Sequence, residues 1–446
     1  MKKKIIILGA GESGIGAALL AKQLEFDVFV SEGKSISPTH KVELIQLRID
    51  FEEGFHSIEN ILSADVVVKS PGLPEKNEVV QAVRKEGIEL ISEIEFAWRY
   101  KGNSKVVAIT GSNGKTTTTA MIGHIFETAG IDSATVGNIG FSFARQIATA
   151  PKNVYIVEVS SFQLDDIKTF KPDVSVLTNI SEDHLDRYEY LFENYIKSKF
   201  SIIKNQTSSD VFIYNADDEV INKYLKRFLN EVKPVPISMS KQLPEGAYIV
   251  NEKMHLKWLK EEMTMSVDDF SVKGKHNQYN TMAAGLSAAV MGIRKERIRE
   301  AVKTFESLDH RMSLVATIKG VDFINDSKAT NINSAWYALE SMTKPTILIL
   351  GGVDKGNNYT VMQDLVKEKV KAIVCMGIDN RKIHEAFGNE VELIVNTNNV
   401  KDAVQAAFHF ANKGDVILLS PACASFDLFK NYEDRGKQFK QAVKEL

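Results

Sequence analysis

The chain has 446 residues, 44% hydrophobic and 25% charged, the make-up of a soluble globular protein with length for about three domains. Its 55 basic and 58 acidic residues leave a formal net charge of −3 and no long Lys/Arg run, which excludes a broad electrostatic drive toward nucleic acid or membranes. No stretch approaches the ~18 apolar residues of a membrane span, the apolar run in "MKKKIIILGAG" is too short for a signal-peptide core, and Cys375 and Cys423 are too few for a disulfide framework or zinc site.

Short apolar runs alternate with helical stretches along the chain, which predicts parallel sheets covered by helices. The first block holds four strand-like runs, "KKIIILGAG", "DVFVSE", "ADVVVKSPG" and "IELISE", and closes in a polar stretch at residues 99 to 105. Directly after the first strand, Gly9, Gly11 and Gly14 keep the G-x-G-x-x-G spacing, and Glu32 stands near the end of the next strand. Glycines there let the backbone approach a pyrophosphate, and a helix N-terminus adds N–H donors. A dinucleotide or a nucleoside-diphosphate sugar satisfies that geometry equally well; glycines that serve only a tight strand-helix turn are the weaker third reading.

The second block opens with "KVVAIT" and the loop "TGSNGKTTT", a shortened relative of G-x-x-x-x-G-K-[ST]. A helix follows, with Met121, Ile122, Ile125, Phe126 and Ala129 on one face, and ends at Gly130. Backbone N–H groups of Gly111, Ser112, Asn113, Gly114, Lys115 and Thr116 can form an anion nest, Lys115 can reach phosphate oxygens, and Thr116 offers a hydroxyl to Mg²⁺. Three more strand runs follow in "NVYIVEVSS", "DVSVLTNIS" and "VFIYNADD". Glu158, near the end of the first of these, is a costly residue in an apolar run unless it meets a cation. The loop "TNISEDHLDRY" groups Asn179, Asp183, His184 and Asp186, while Lys197 and Lys199 of "FENYIKSKF" read as a solvated helix face. The block closes in helical patterns around "NTMAAGLSAAVMGI" and "KERIREAVKTFESL".

The third block repeats the alternation in "VDFINDSKA", "PTILILGG", "KAIVCMG" and "DVILLSPA". Polar residues gather at the strand ends: Asp326, Lys328, Thr330, Asn331, Lys355, Ser420, Ser425 and Asp427. In open α/β sheets that is where ligands bind. No Ser/His/Asp order or G-x-S-x-G elbow is present, so a hydrolytic nucleophile is unsupported, and two lysines with several hydroxyls suit an anionic co-substrate.

"TGSNGKTTT", "EVSSFQLD", "TNISEDHLDRY", "HNQYN", "LDHRM", "NDSKATN", "GGVDKG" and "SPACASFDLFKNYEDRG" resemble, in this order, the motifs of the Mur ligases. These are the ATP-dependent amino-acid ligases of peptidoglycan precursor synthesis, and their shortened loop matches this one. The last motif and the short chain are most similar to the member that adds D-glutamate to UDP-N-acetylmuramoyl-L-alanine. The resemblance implies three α/β domains: Rossmann-like over 1–102 for the uridine nucleotide, a P-loop ATPase-like parallel sheet over 103–307 for ATP, and Rossmann-like over 308–446 for the amino acid.

It also implies roles. Lys115, Glu158, His184 and Lys199 would carry catalysis, with Thr116 and Glu158 at one magnesium and His184 with a carbamylated Lys199 at a second. ATP would meet Gly111 to Thr117, that is Gly111, Ser112, Asn113, Gly114, Lys115, Thr116 and Thr117, with Asn277, Asn280, Arg311 and Asp326. The UDP-sugar would meet Glu12, Ser13, Gly14, Glu32, Ser70, Gly72, Asn138 and His184, and D-glutamate would meet Lys328, Thr330, Lys355, Ser425 and Tyr432. "VSEGK" stands where some relatives carry Asp-Thr-Arg, and Asn358 where many carry an acid. The expected protein is a cytoplasmic monomer working on small molecules, without nucleic-acid or membrane partners. Other Mur ligases and a folylpolyglutamate synthetase-type ligase are the neighbouring readings; a nucleotide switch and an NAD(P) oxidoreductase are the non-ligase ones.

Overall fold

The structure, a computed structural model, describes residues 2–306, 309–354 and 356–446. They form two compact units: one runs to Phe270 and takes in Tyr279–Thr304, the other comprises Ser271–Gln278 and Phe305–Leu446.

In the first unit β1 (Lys4–Leu8), β2 (Asp27–Glu32), β3 (Asp50–Glu53), β4 (Val66–Lys69) and β5 (Glu89–Ser92) make a parallel sheet ordered β3-β2-β1-β4-β5. The sequence predicts four of these. The fifth, β3, reads "DFEE" and forms a half-exposed edge, so it carries no apolar run to announce it.

A nine-stranded sheet follows in the same unit, built from β6 (Lys105–Thr110), β7 (Ser133–Gly137), β8 (Val154–Glu158), β9 (Val174–Leu177), β10 (Val211–Asn215), β11 (Lys233–Ser238), β12 (Gly246–Val250), β13 (Lys253–Trp258) and β14 (Glu261–Ser266). Its order is β14-β13-β12-β11-β10-β9-β6-β8-β7. As expected the sheet is parallel, from β12 through β7, and at one edge β12, β13 and β14 pair antiparallel. The cause is local: Asn251 and Glu252 both take positive φ, +48° and +56°, which is the two-residue turn that folds a strand back on itself. One continuous core, with Ile5, Ile7 and Val30 from the first sheet and Val106, Tyr155 and Val157 from the second, binds the two sheets into one unit.

The second unit holds β15 (Ser313–Ile318), β16 (Val321–Asn325), β17 (Thr346–Leu350), β18 (Val370–Met376), β19 (Leu393–Thr397) and β20 (Val416–Leu419), ordered β15-β16-β20-β17-β18-β19. All pairings are parallel except β15 with β16. β15 and β19 lie at the edges and were not among the four predicted strands; their burial is only partial.

The helix after the Gly-rich loop spans Lys115–Thr128 and buries Met121, Ile122, Ile125 and Phe126, as its periodicity predicts. It stops two residues before Gly130, whose φ of +72° turns the chain away. Among the described residues no helix is long and apolar enough to cross a membrane.

Candidate active site

Strand order assembles the site. β6 lies between β9 and β8, with Ile109 in register with Glu158 and Thr110 with Leu177. The carboxyl ends of three adjacent strands therefore deliver the Lys115 loop, Glu158 and the His184 loop to one edge of the sheet.

The phosphate loop is clamped by the residues that follow β9. The Asn113 N–H donates to Asn179 Oδ1 at 2.9 Å, Asn179 Nδ2 and Thr178 Oγ1 donate to the Asn113 carbonyl, and Ser112 Oγ donates to the Ser181 carbonyl at 2.9 Å. Gly111 and Gly114 have φ of +145° and +81°; a Cβ on Gly111 would lie 2.0 Å from Thr178 Oγ1, and one on Gly114 2.5 Å from Asn280 Oδ1. Both glycines are thus required by conformation and by space. Lys115 curls over the loop, its Nζ donating to the carbonyls of Gly111 and Ser112 at 2.7 and 2.8 Å. Thr116 and Thr117 lie in the first turn of the helix, whose N-terminus follows directly on the Gly-rich loop, a ready anion site.

Glu158 is 1% exposed. Asn138 Nδ2 donates to its Oε1 at 2.8 Å, while Oε2 is buried without a hydrogen-bond partner. A buried carboxylate oxygen left bare beside a phosphate loop fits a divalent cation with hard oxygen ligands. His184 takes a left-handed φ of +53° at the start of a short helical turn, and Phe162 meets its ring edge-on with centroids 5.1 Å apart.

Lys199 corrects the solvated-face reading. Lys197 is exposed as expected, but Lys199 is 2% exposed and its Nζ reaches Thr110 Oγ1 at 3.2 Å, at the end of β6. Two residues apart on a helix point to different faces, and the apolar pattern of this short helix gave no hint which lysine turned inward. Burial, and next the charge of Lys115, hold the Lys199 amine well below the ordinary lysine range, which disfavours its ammonium form.

The first sheet builds a second cluster. Gly9, Ser31 and Ser70 meet where β1, β2 and β4 end: the Gly9 N–H donates to the Ser31 carbonyl and the Ser70 N–H to the Leu8 carbonyl. A Cβ on Gly14 would lie 1.9 Å from the Gly9 carbonyl oxygen, so that glycine allows the helix Glu12–Gln23 to leave the strand at close range. Gly72 shows no such crowding. Glu32 Oε2 accepts from the Ala10 N–H at 2.8 Å, which holds the acid against the loop, and Ser70 Oγ is buried and unpartnered. Glu12, beside Ser13 at the start of that helix, pairs with Arg145 at 2.7 Å.

In the second unit β16, β20 and β17 are neighbours, so Asp326, Ser420 and Gly351 follow adjacent strand ends. Asp326 is buried and accepts from Ser420 Oγ at 2.9 Å; burial pushes its carboxyl up to about 7, against the opposing pull of Ser420 and Arg311. Lys328 Nζ donates to Tyr432 Oη at 2.6 Å and sits 4.0 Å from the ring centre. Ser425 is buried and Thr330 half-buried. Asn277 donates to the Lys273 carbonyl, and on the same helix, within the first unit, Asn280 Oδ1 accepts from Thr118 Oγ1 at 3.2 Å. Lys355 lies outside the described residues.

Several residues of these clusters were not singled out from sequence. Arg435 is 1% exposed and donates to Ser327 Oγ, the Ser327 carbonyl and the Cys423 carbonyl, locking two strand-end loops together. Tyr195 Oη lies 3.0 Å from Ser112 Oγ, and Arg187 reaches the carbonyls of Pro71 and Leu73. Arg187 and Arg435 lie inside the quoted motifs, which was the available signal.

Three family models match the chain: a Mur ligase MurD-like N-terminal domain over 3–92, a Mur ligase middle domain over 109–288 and a Mur ligase glutamate ligase domain over 310–423. The chain belongs to the Mur ligase family. It is 49% identical, over the full length of both chains, to the UDP-N-acetylmuramoylalanine–D-glutamate ligases of Christiangramia forsetii, Bacteroides fragilis and Cytophaga hutchinsonii. In fold it is similar to a pseudomurein peptide ligase type C from Methanothermus fervidus, with TM-score 0.64, 21% identity and 100% of each chain covered. The same holds for the UDP-N-acetylmuramate–alanine ligase of Thermotoga maritima, with TM-score 0.61, 17% identity and 99% of each chain covered.

Proposed function

We infer that this chain joins D-glutamate to UDP-N-acetylmuramoyl-L-alanine with consumption of ATP, making an amide bond in peptidoglycan precursor synthesis. The observation that carries this reading is the full-length 49% identity to ligases named for that addition. The chemistry suits the residues. The alanyl carboxylate attacks the ATP γ-phosphorus, giving an acyl phosphate and ADP; the D-glutamate amine then attacks the acyl carbon, loses a proton and expels phosphate. Both steps crowd anions together, so positioning and charge neutralisation dominate.

Lys115 and the helix N-terminus at Thr116 and Thr117 would hold the ATP phosphates, with Asn277, Asn280, Arg311 and Asp326 as further ATP contacts. Magnesium, when bound, supplies charge neutralisation to the phosphates. Thr116 and Glu158 would hold one ion; His184 and Lys199 would hold a second. The bare Glu158 Oε2 supports the first assignment. For the second, burial disfavours the ammonium form of Lys199, the uncharged amine is the form of lysine that adds CO₂, and a carbamate would turn Lys199 into an anionic ligand. Glu12, Ser13, Gly14, Glu32, Ser70, Gly72, Asn138 and His184 would meet the UDP-sugar, for which the unpartnered Ser70 hydroxyl is the supporting observation. Lys328, Thr330, Lys355, Ser425 and Tyr432 would receive D-glutamate, two cations for two carboxylates. Residues 1–102, 103–307 and 308–446 would be the uridine-nucleotide, ATP and amino-acid domains of a cytoplasmic monomer.

Phosphate release with ATP, Mg²⁺ and UDP-N-acetylmuramoyl-L-alanine, across D- and L-glutamate, L-alanine, L-lysine and diaminopimelate, tests the reading. Release with D-glutamate alone, lost in Lys115→Ala, is expected. Release that ignores the amino acid would overturn it.

A further inference from the structure

Arg187 lies one turn beyond His184, in the loop after β9, and it touches three things at once. Its Nη2 donates to the Pro71 carbonyl at 3.1 Å and to the Leu73 carbonyl at 3.2 Å, both in the loop after β4 that begins with Ser70. Its guanidinium lies over the Phe162 ring, 4.3 Å from the centre. That same ring meets the His184 imidazole edge-on at 5.1 Å and stacks with Tyr188 at 6.0 Å. Tyr188 Oη in turn donates to Asp165 at 3.0 Å and lies 3.3 Å from Ser198 Oγ, beside Lys199.

The loop that Arg187 grips is fastened from its other side as well. Lys69, 3% exposed, pairs with the buried Asp166 at 2.8 Å and with Glu75 at 2.8 Å, and Arg84 bridges the same two acids. Residues 70 to 75 are therefore tied to the nine-stranded sheet's loops at two points, Arg187 and Asp166. The Lys69 tie is ionic and buried, and it anchors the loop's root. The Arg187 tie reaches its middle and leads through one aromatic ring to His184.

We propose that Arg187 is a positioning residue that fixes the Ser70–Gly72 loop and the His184 ring in one register, so that the nucleotide end and the reacting end of the acceptor are placed by the same side chain. The inference rests on the acceptor reading of Ser70, Gly72 and His184 given above. A guanidinium suits this task because it is planar: its face covers Phe162 while an edge nitrogen offers two protons to two carbonyls. A lysine has the charge but not the plane.

The test is binding of UDP-N-acetylmuramoyl-L-alanine to the full chain by calorimetry without ATP, alongside steady-state constants, for Arg187→Met, Arg187→Lys, Phe162→Leu and the Phe162→Leu/Arg187→Met double variant. Arg187→Met is expected to weaken acceptor binding about tenfold or more and raise its KM likewise, with the KM values for ATP and D-glutamate unchanged. Arg187→Lys should recover part of the loss. Because Phe162 and Arg187 act through one stack, the double variant should lose less than the product of the single losses. Unchanged acceptor affinity in Arg187→Met overturns the proposal. So does a fall in melting temperature with every KM rising together, which marks a merely structural role. A wild-type chain that binds no acceptor removes the acceptor reading itself, and the proposal with it, whatever Arg187 does.

Discussion

Asn138 holds Glu158 at both ends: its Nδ2 donates to Oε1 at 2.8 Å and its backbone N–H to the Glu158 carbonyl at 2.9 Å. The carboxylate is thereby oriented with Oε2 buried and without a hydrogen-bond partner, as the proposed magnesium ligand would be. Groups that orient a metal ligand typically matter by about 10–100-fold in metal affinity or activity. Asn138→Ala should accordingly raise the magnesium concentration for half-maximal phosphate release by roughly tenfold. A titration with an unchanged midpoint would show that Glu158 is held by something else.

Lys199 makes an opposite pair of predictions for stability and activity. Burial disfavours its ammonium form in the folded chain, whereas the unfolded chain protonates it below its ordinary 10.5, so lowering the pH toward neutral favours the unfolded state. In CO₂-free buffer at pH 7, Lys199→Met should melt higher than the wild type while losing phosphate release. Adding ¹³C-bicarbonate to the wild type should give a carbamate carbon signal that the variant lacks.

Glu93 carries a separate pH dependence away from the phosphate loop. It is 1% exposed and accepts from the Ala144 N–H at 2.6 Å, and burial pushes its carboxyl from 4.5 up to about 7. A raised folded value means its stabilising share is complete below pH 4.5 and lost as pH rises through 7. Glu93→Gln keeps the acceptor and removes the charge, so it should stabilise the chain at pH 8 by up to roughly 3 kcal/mol and little at pH 4. Denaturant midpoints at the two pH values check this.

Gly111→Ala should damage the phosphate loop more than its size suggests. Its φ of +145° is strained for alanine, and the new methyl would meet Thr178 Oγ1 at 2.0 Å and the Asn179 carbonyl oxygen at 3.1 Å. A left-handed or mirror-region residue costs about 1–3 kcal/mol before the clash is counted. Calorimetry with a non-hydrolysable ATP analogue should show at least tenfold weaker binding, whereas Gly72→Ala, which meets nothing, should leave ATP binding alone.

The strands that carry the candidate site were legible in the sequence because central parallel strands are buried on both faces and read as unbroken apolar runs, as in "KVVAIT" and "TILIL". What escaped notice lies at or toward the sheet edges. β3 is acidic, and β11 carries Pro234 and Pro236, residues that argue against a strand. The antiparallel β12–β14 segment depended on a turn formed by Asn251 and Glu252 without glycine.

The α/β class, the Gly-rich loop with Lys115, a carboxylate at the end of an apolar strand in Glu158 and the family are all legible in the chain, because each of these is written in local spacing along one segment. Which lysine of "FENYIKSKF" is buried, that Asn138 leaves one Glu158 oxygen bare, and that Arg187 joins the Ser70 loop through Phe162 to His184 emerge only from the folded chain. Those facts depend on pairs far apart in the chain, brought together by strand order and by one core under two sheets. A local pattern fixes what a side chain can do; its burial and partners are set by residues that the pattern does not contain.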